Sequence, residues 1–143
     1  MTTDELKAIT RRELEELWVK GNLAVADELY APDVVDHHAL PGQAPGREGV
    51  KQAIAMVSRA FPGRSEIHGT VAEGDTVTRW WTMRGTHEGE FLGLPATHKP
   101  FTLTGIDVLR LADGKIVEFW HEEDLLGLMM QLGAVPPPGG SSG

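Results

Sequence analysis

Apolar residues recur along this chain at two spacings, and the change falls near residue 62. Before it, Leu6, Ile9, Leu14, Leu17 and Trp18 follow the three-to-four-residue spacing of one helix face. This predicts a helix over 3–20, opened by a capping box of Thr2 and Glu5. Gly21 ends it, and Asn22 opens a second short helix over 23–30 carrying Leu23, Ala26, Leu29 and Tyr30. Ala31-Pro32-Asp33 breaks that pattern, and Val34 and Val35 form an extended piece leading to Asp36-His37-His38. A third helix is predicted over 47–60, with Val50, Ile54 and Val57 inward and Pro62-Gly63 as its stop.

Beyond residue 62 the period becomes two, which predicts strands over 64–72, 76–87, 100–111 and 116–123. The second strand puts Val77, Arg79, Trp81, Met83, Gly85 and His87 on one face and Trp80 on the other. Asp113-Gly114 is a strong hairpin signal, because a type I′ turn needs two residues tolerant of positive φ. The loop over 89–99 is placed to cover a pocket mouth, and a short helix over 124–132 ends at Gly133. Helices followed by antiparallel strands make an α+β pattern. A sheet curling strongly around those helices would leave a cone-shaped barrel open at one end. One domain over 1–134 suits the length, and 135–143, ending in GGSSG, is expected to be a disordered tail with an attached linker.

Composition narrows the function. A net charge of −8 gives no overall attraction for nucleic acid or acidic membranes. The absence of cysteine removes disulfides, thiol nucleophiles and cysteine-bound metals. The polar N-terminus does not resemble a signal peptide, and no apolar run approaches the ~18 residues of a membrane span. A cytoplasmic location is expected.

The titratable residues concentrate on the last hairpin. With a two-residue turn at Asp113-Gly114, Ala112 faces Lys115, Leu109 faces Glu118 and Asp107 faces Trp120. That register gathers Gly105, Asp107, Trp120, Glu122 and Asp124 on one face and sends Phe119 and His121 to the other. A desolvated aspartate beside a tryptophan and a second acid would have a raised pKa, suited to proton transfer. His38 and His87 are placed to approach the same opening, and Trp81, Met83 and Trp120 would form its apolar wall. Structural roles compete with these: Asp124 as a helix cap, Asp107 paired with Arg79 or Arg110, and Glu118 paired with an arginine. No HExxH motif, GxSxG elbow or phosphate-binding glycine loop is present, so neither a metal nor a cofactor is expected.

The segments LAVADELYAPDVVDHH, GREGVKQAI, AFPG, GDTVTRWWTMRGTHEGEFLGLPATHKP and GIDVLRLADGKIVEFWHEEDLLGLMMQLGA carry a family resemblance over about residues 22–134. They resemble the SnoaL-like polyketide cyclases, or ester cyclases, of the nuclear-transport-factor-two-like cone-fold superfamily. The resemblance implies a dimeric or tetrameric α+β cone that closes a ring by intramolecular aldol condensation without cofactor or metal. It implies that Asp124, following Trp120, is the general acid/base, and that Gly105, Asp107 and either His37 or His38 line the pocket. Gly105 and Asp107 depart from the amide-and-imidazole pair expected of cyclases acting on anthracycline precursors. The expected partner is a small hydrophobic carbonyl substrate. An epoxide hydrolase or isomerase, or a non-catalytic binding or dimerisation domain, are the alternatives.

Overall fold

The computed structural model describes residues 1–136 and 139. The expected tail therefore lies, from residue 137 on apart from Gly139, outside the described residues. Helix α1 (Thr3–Arg12) starts at the anticipated capping box, with the Thr2 hydroxyl accepting from the Glu5 amide at 3.1 Å. It continues without a break into a π-helical segment, Glu13–Val19, instead of remaining α-helical to residue 20. A 3₁₀ turn (Leu23–Val25) and a single α-turn, α2 (Ala26–Leu29), lead into strand β1 (Tyr30–Asp36). Helix α3 (Gly46–Ala60) precedes four strands, β2 (Gly63–Glu73), β3 (Thr76–Thr86), β4 (Pro100–Ala112) and β5 (Lys115–Glu123). Helix α4 (Leu125–Gln131) closes the fold.

The sheet order is β1-β5-β4-β3-β2. Strands β2 to β5 form an antiparallel meander, as the alternating pattern predicts. The sheet is mixed, however, because β1 pairs with β5 in parallel. The chain leaves β1 through α3 and enters the meander at the far edge, so β5 returns to β1 from the other side. Pro32, which has no N–H to donate, falls in the interruption of the β1–β5 ladder between Tyr30 and Val35.

Helices α1 and α3 lie inside the curve of the sheet. Leu6, Leu17, Val50 and Ile54 pack there against Val77, Leu109, Ile116 and Phe119. A second apolar cluster, with Leu14, Phe61, Trp81, Met83, Leu103 and Leu128, surrounds the open end. Helix α4 is fastened to that end by Gln131. Its amide accepts from the Thr102 N–H at 2.7 Å and donates to the Thr102 carbonyl at 2.8 Å, as a neighbouring strand would.

The last hairpin corrects the expected register. The turn is as predicted, with φ of 52° at Asp113 and 76° at Gly114, and Ala112 faces Lys115. One extra residue on β5 then intervenes between the Leu111–Ile116 pair and the Arg110–Glu118 pair. This bulge shifts everything beyond it, so Asp107 faces His121 and Val108 faces Trp120. Phe119 and His121 therefore turn inward, and Trp120 turns outward.

Candidate active site

Two cross-strand rows form the site. In the first, Arg79 on β3, Asp107 on β4 and His121 on β5 are directly opposed. In the second, Trp81, Gly105 and Glu123 take the same places. Gly105 serves the geometry: a Cβ there would run into the Trp81 indole. Without that Cβ, the indole crosses β4 and its Nε1 donates to Asp107 Oδ2 at 2.8 Å.

Asp107 Oδ2 also accepts from Arg79 Nε at 2.8 Å. No protein donor reaches Oδ1 among the described residues, and Asp107 lines a cavity of about 320 Å³. Burial raises the Asp107 pKa above the usual carboxylate value, against the Arg79 charge that lowers it. Arg79 Nη2 donates to Glu13 Oε1 at 2.7 Å, and Nη1 donates to the Thr10 carbonyl. Glu13 Oε2 accepts from the Tyr30 hydroxyl at 2.5 Å and from Trp18 Nε1 at 2.9 Å. Glu13, Arg79 and Asp107 are 1%, 2% and 6% exposed, so two acids and one base share a buried interior. Burial opposes the arginine's charge, but the two carboxylates hold it protonated.

His121 lies between two further carboxylates. Its Nε2 is 2.9 Å from Asp36 Oδ1 and its Nδ1 is 2.6 Å from Glu123 Oε1. Asp36 is held in turn by the His38 amide at 2.9 Å and by Gln43 Nε2 at 3.0 Å. Burial disfavours the imidazolium, yet its hydrogen bonds to Asp36 and Glu123 push its pKa up to about 10. At neutral pH His121 is thus a fixed positive charge on the cavity wall, with both N–H groups committed. His38 Nδ1 lies against the His121 backbone, near both its carbonyl and its N–H, and Nε2 has no protein partner among the described residues.

The raised His121 pKa has a stability consequence. Its contribution is fully present below the ordinary value of 6.5 and is lost as pH rises through about 10. His121→Gln should therefore lower the thermal midpoint near pH 7 and flatten its decline between 6.5 and 10. Melting curves at stepped pH check this. An unchanged slope would remove the ion pairs as a source of stability.

Of the residues singled out in the sequence, Asp107, His38, Trp81 and Met83 line the cavity. Asp124 does not. It is exposed, caps α4 by accepting from the Gly127 amide at 2.9 Å, and borders a groove on the outer sheet face with Trp80, Thr104 and Ile106. Gly105 borders that groove as well. Trp120 and His37 also lie away from the cavity lining. They stack with ring centroids 4.4 Å apart, and His37 Nε2 meets Glu118 at 2.8 Å. Glu118 pairs with Arg110, the structural role expected for it. His87 is fully buried behind Phe61, with centroids 4.9 Å apart, and the Thr97 N–H donates to its Nδ1 at 3.1 Å. Met129 packs against the open-end apolar cluster.

Sequence reasoning missed Glu13, Asp36 and Glu123 and sent His121 to the wrong face. Glu13 carried a legible signal, an acid on the apolar stripe of α1 between Ile9 and Leu17. His121 carried none, because nothing in the β5 sequence announces the bulge.

Fold and cavity together define a cone protein with a buried acid–base site. Residues 8–132 match the family of SnoaL-like polyketide cyclases, and the chain belongs to that family. It is 29% identical to the aklanonic acid methyl ester cyclase DauD of Streptomyces sp. (strain C5), over 76% of this chain and 67% of that one. It is 27% identical to the nogalonic acid methyl ester cyclase of Streptomyces nogalater, over 79% of this chain and 87% of that one. Among solved structures, TsrD from Streptomyces laurentii superposes with a TM-score of 0.83 at 28% identity, over 94% of this chain and 99% of that one. No helix among the described residues is long and apolar enough to cross a membrane.

Proposed function

We propose that this protein is a cofactor-independent cyclase that closes a ring by intramolecular aldol addition on a hydrophobic polycarbonyl ester. The observation that carries the proposal is Asp107: a buried carboxyl with one oxygen held by Arg79 and Trp81 and the other free of protein donors on the cavity wall. Asp107 removes a proton from the carbon between two carbonyls. The His121 imidazolium, directly across the hairpin, opposes the negative charge of the enolate. The enolate carbon attacks a second carbonyl of the same molecule and forms the new C–C bond. The resulting alkoxide takes up the proton carried by Asp107, so the carboxylate is restored and no co-reactant is consumed. Phe61, Trp81, Met83 and Leu103 supply the apolar wall that holds the substrate folded. His38, at the same wall, is placed to meet a substrate hydroxyl with Nε2.

This reading moves the proton-transfer role from Asp124 to Asp107. A hydrolase or isomerase working through Asp124 is disfavoured because that carboxylate lies outside the cavity. A non-catalytic domain is disfavoured because the relatives it matches are named as cyclases. The proposal includes a cytoplasmic site of action, supported by the cysteine-free sequence. It also includes a homodimer or homotetramer, supported by Val71, Trp80 and Ile106 exposed on the outer sheet face.

The test uses purified protein in D₂O with the methyl esters of aklanonic and nogalonic acid and a panel of simpler β-keto esters. Enzyme-dependent deuterium exchange at the activated carbon should accompany ring closure of at least one ester. Exchange and closure no faster than in buffer across the whole set would overturn the cyclase reading.

A further inference from the structure

An arginine facing a carboxylate ordinarily uses two parallel N–H groups, one to each oxygen. Arg79 does not do this with Asp107. Only Nε reaches Asp107, at Oδ2, while Nη2 is drawn 2.7 Å from Glu13 Oε1 and Nη1 goes to the Thr10 carbonyl. All three guanidinium nitrogens are engaged, and Oδ1 of Asp107 receives none of them. The division depends on where Glu13 stands. Glu13 is itself held by Tyr30 and Trp18, both donating to its other oxygen. The Trp18 bond joins residues five apart, which would point about 140° away from each other in a regular α-helix. The π-helical segment brings them together.

We propose that Glu13 is a positioning residue for the proton transfer at Asp107: by taking the Nη2 edge of Arg79 it confines that guanidinium to one oxygen of Asp107 and leaves the other to the cavity. The inference rests on the reading of Asp107 as the base. The charged groups facing Asp107 are Glu13 from the π-helical segment, Arg79 from β3 and His121 from β5, with Glu123 in the adjoining row. Among them Glu13 alone repels the carboxylate through the shared arginine. Its charge adds to burial in strengthening the affinity of Asp107 for a proton. Remove it, and Arg79 is free to close both N–H groups onto Asp107, which would occupy the working oxygen and weaken the base.

The test reads Asp107 directly. Protein labelled with ¹³C at the aspartate carboxyl carbon is titrated by NMR, and Asp107→Asn assigns the resonance. Glu13→Gln keeps the volume, and its amide oxygen can still accept from Tyr30 and Trp18, which turns the NH₂ toward Nη2 and gives up the hold on Arg79. It is expected to lower the Asp107 midpoint by about one pH unit, a tenfold loss of proton affinity. Glu13→Asp, which keeps the charge but withdraws it from Nη2, should give a smaller fall and serves if the Gln variant does not fold. Trp81→Phe removes a donor from Oδ2 and should move the midpoint the other way. A merely structural Glu13 would lower the melting temperature and leave the titration in place. A midpoint that stays or rises in the folded Glu13 variants overturns the proposal. Because the titration needs no substrate, failure of the cyclase reading would show in turnover alone.

Discussion

Replacing Asp107 with asparagine should lower turnover by ~10²–10⁴-fold, the usual range for loss of a positioned acid–base group. The amide oxygen can still accept from Arg79 Nε and Trp81 Nε1, so the wall keeps its shape. What disappears is the proton acceptor facing the cavity, replaced by an NH₂ group that has no proton affinity to offer. The change should fall on kcat with KM little altered, since the apolar wall that holds the substrate is untouched. The fold should also survive. The interior holds Glu13, Arg79 and Asp107, and removing one of the two acids leaves one acid balancing one base. Steady-state kinetics with a urea titration on the same preparation separates the two effects. Full turnover by a folded Asp107→Asn protein would return the base role to another group.

Arg79→Met carries the largest expected cost in stability. Methionine replaces the aliphatic stem but leaves Glu13 and Asp107, both nearly fully buried, facing each other, and the Thr10 carbonyl loses its Nη1 donor. Breaking a buried pair by removing one partner costs ~3–5 kcal/mol, a large part of the ~5–15 kcal/mol that holds a domain folded. Urea unfolding should show the midpoint falling with little change in slope. Adding Glu13→Gln to Arg79→Met should recover part of the loss, because one of the stranded charges is then removed. A double variant no more stable than the single would mean that charge is not what the arginine neutralises.

The alternation of apolar and polar residues over 64–123 was enough to read four strands and the residues that share a face of β3. Arg79, Trp81 and Met83 were placed from that alone. The helices were legible from Leu6, Ile9, Val50 and Ile54. Register past the last turn was not, because period two conveys which residues share a face only while no residue is inserted. One extra residue near Val117 reversed the faces of Trp120 and His121, and with them the identity of the group opposite Asp107. The parallel placement of β1 was hidden for a different reason. It depends on where the chain re-enters the sheet after α3, which no local pattern records. The π-helical segment was likewise not legible, since the Tyr30 hydroxyl that meets Glu13 comes from a different element. The cap at Asp124 was weighed correctly from spacing.

The β5 bulge makes the chemistry of this wall a matter of phase. Upstream of it the strand contributes only framework; downstream, His121 and Glu123 stand in the rows of Asp107 and Gly105, while Trp120 takes the alternate phase and Glu122, in that phase too, still reaches the cavity lining. Loss of a single codon at the bulge would hand the alternate set to the interior with every other residue of the strand unchanged. A lineage carrying this fold can thus exchange an imidazolium wall for an indole one in one step, without altering the identity of any side chain.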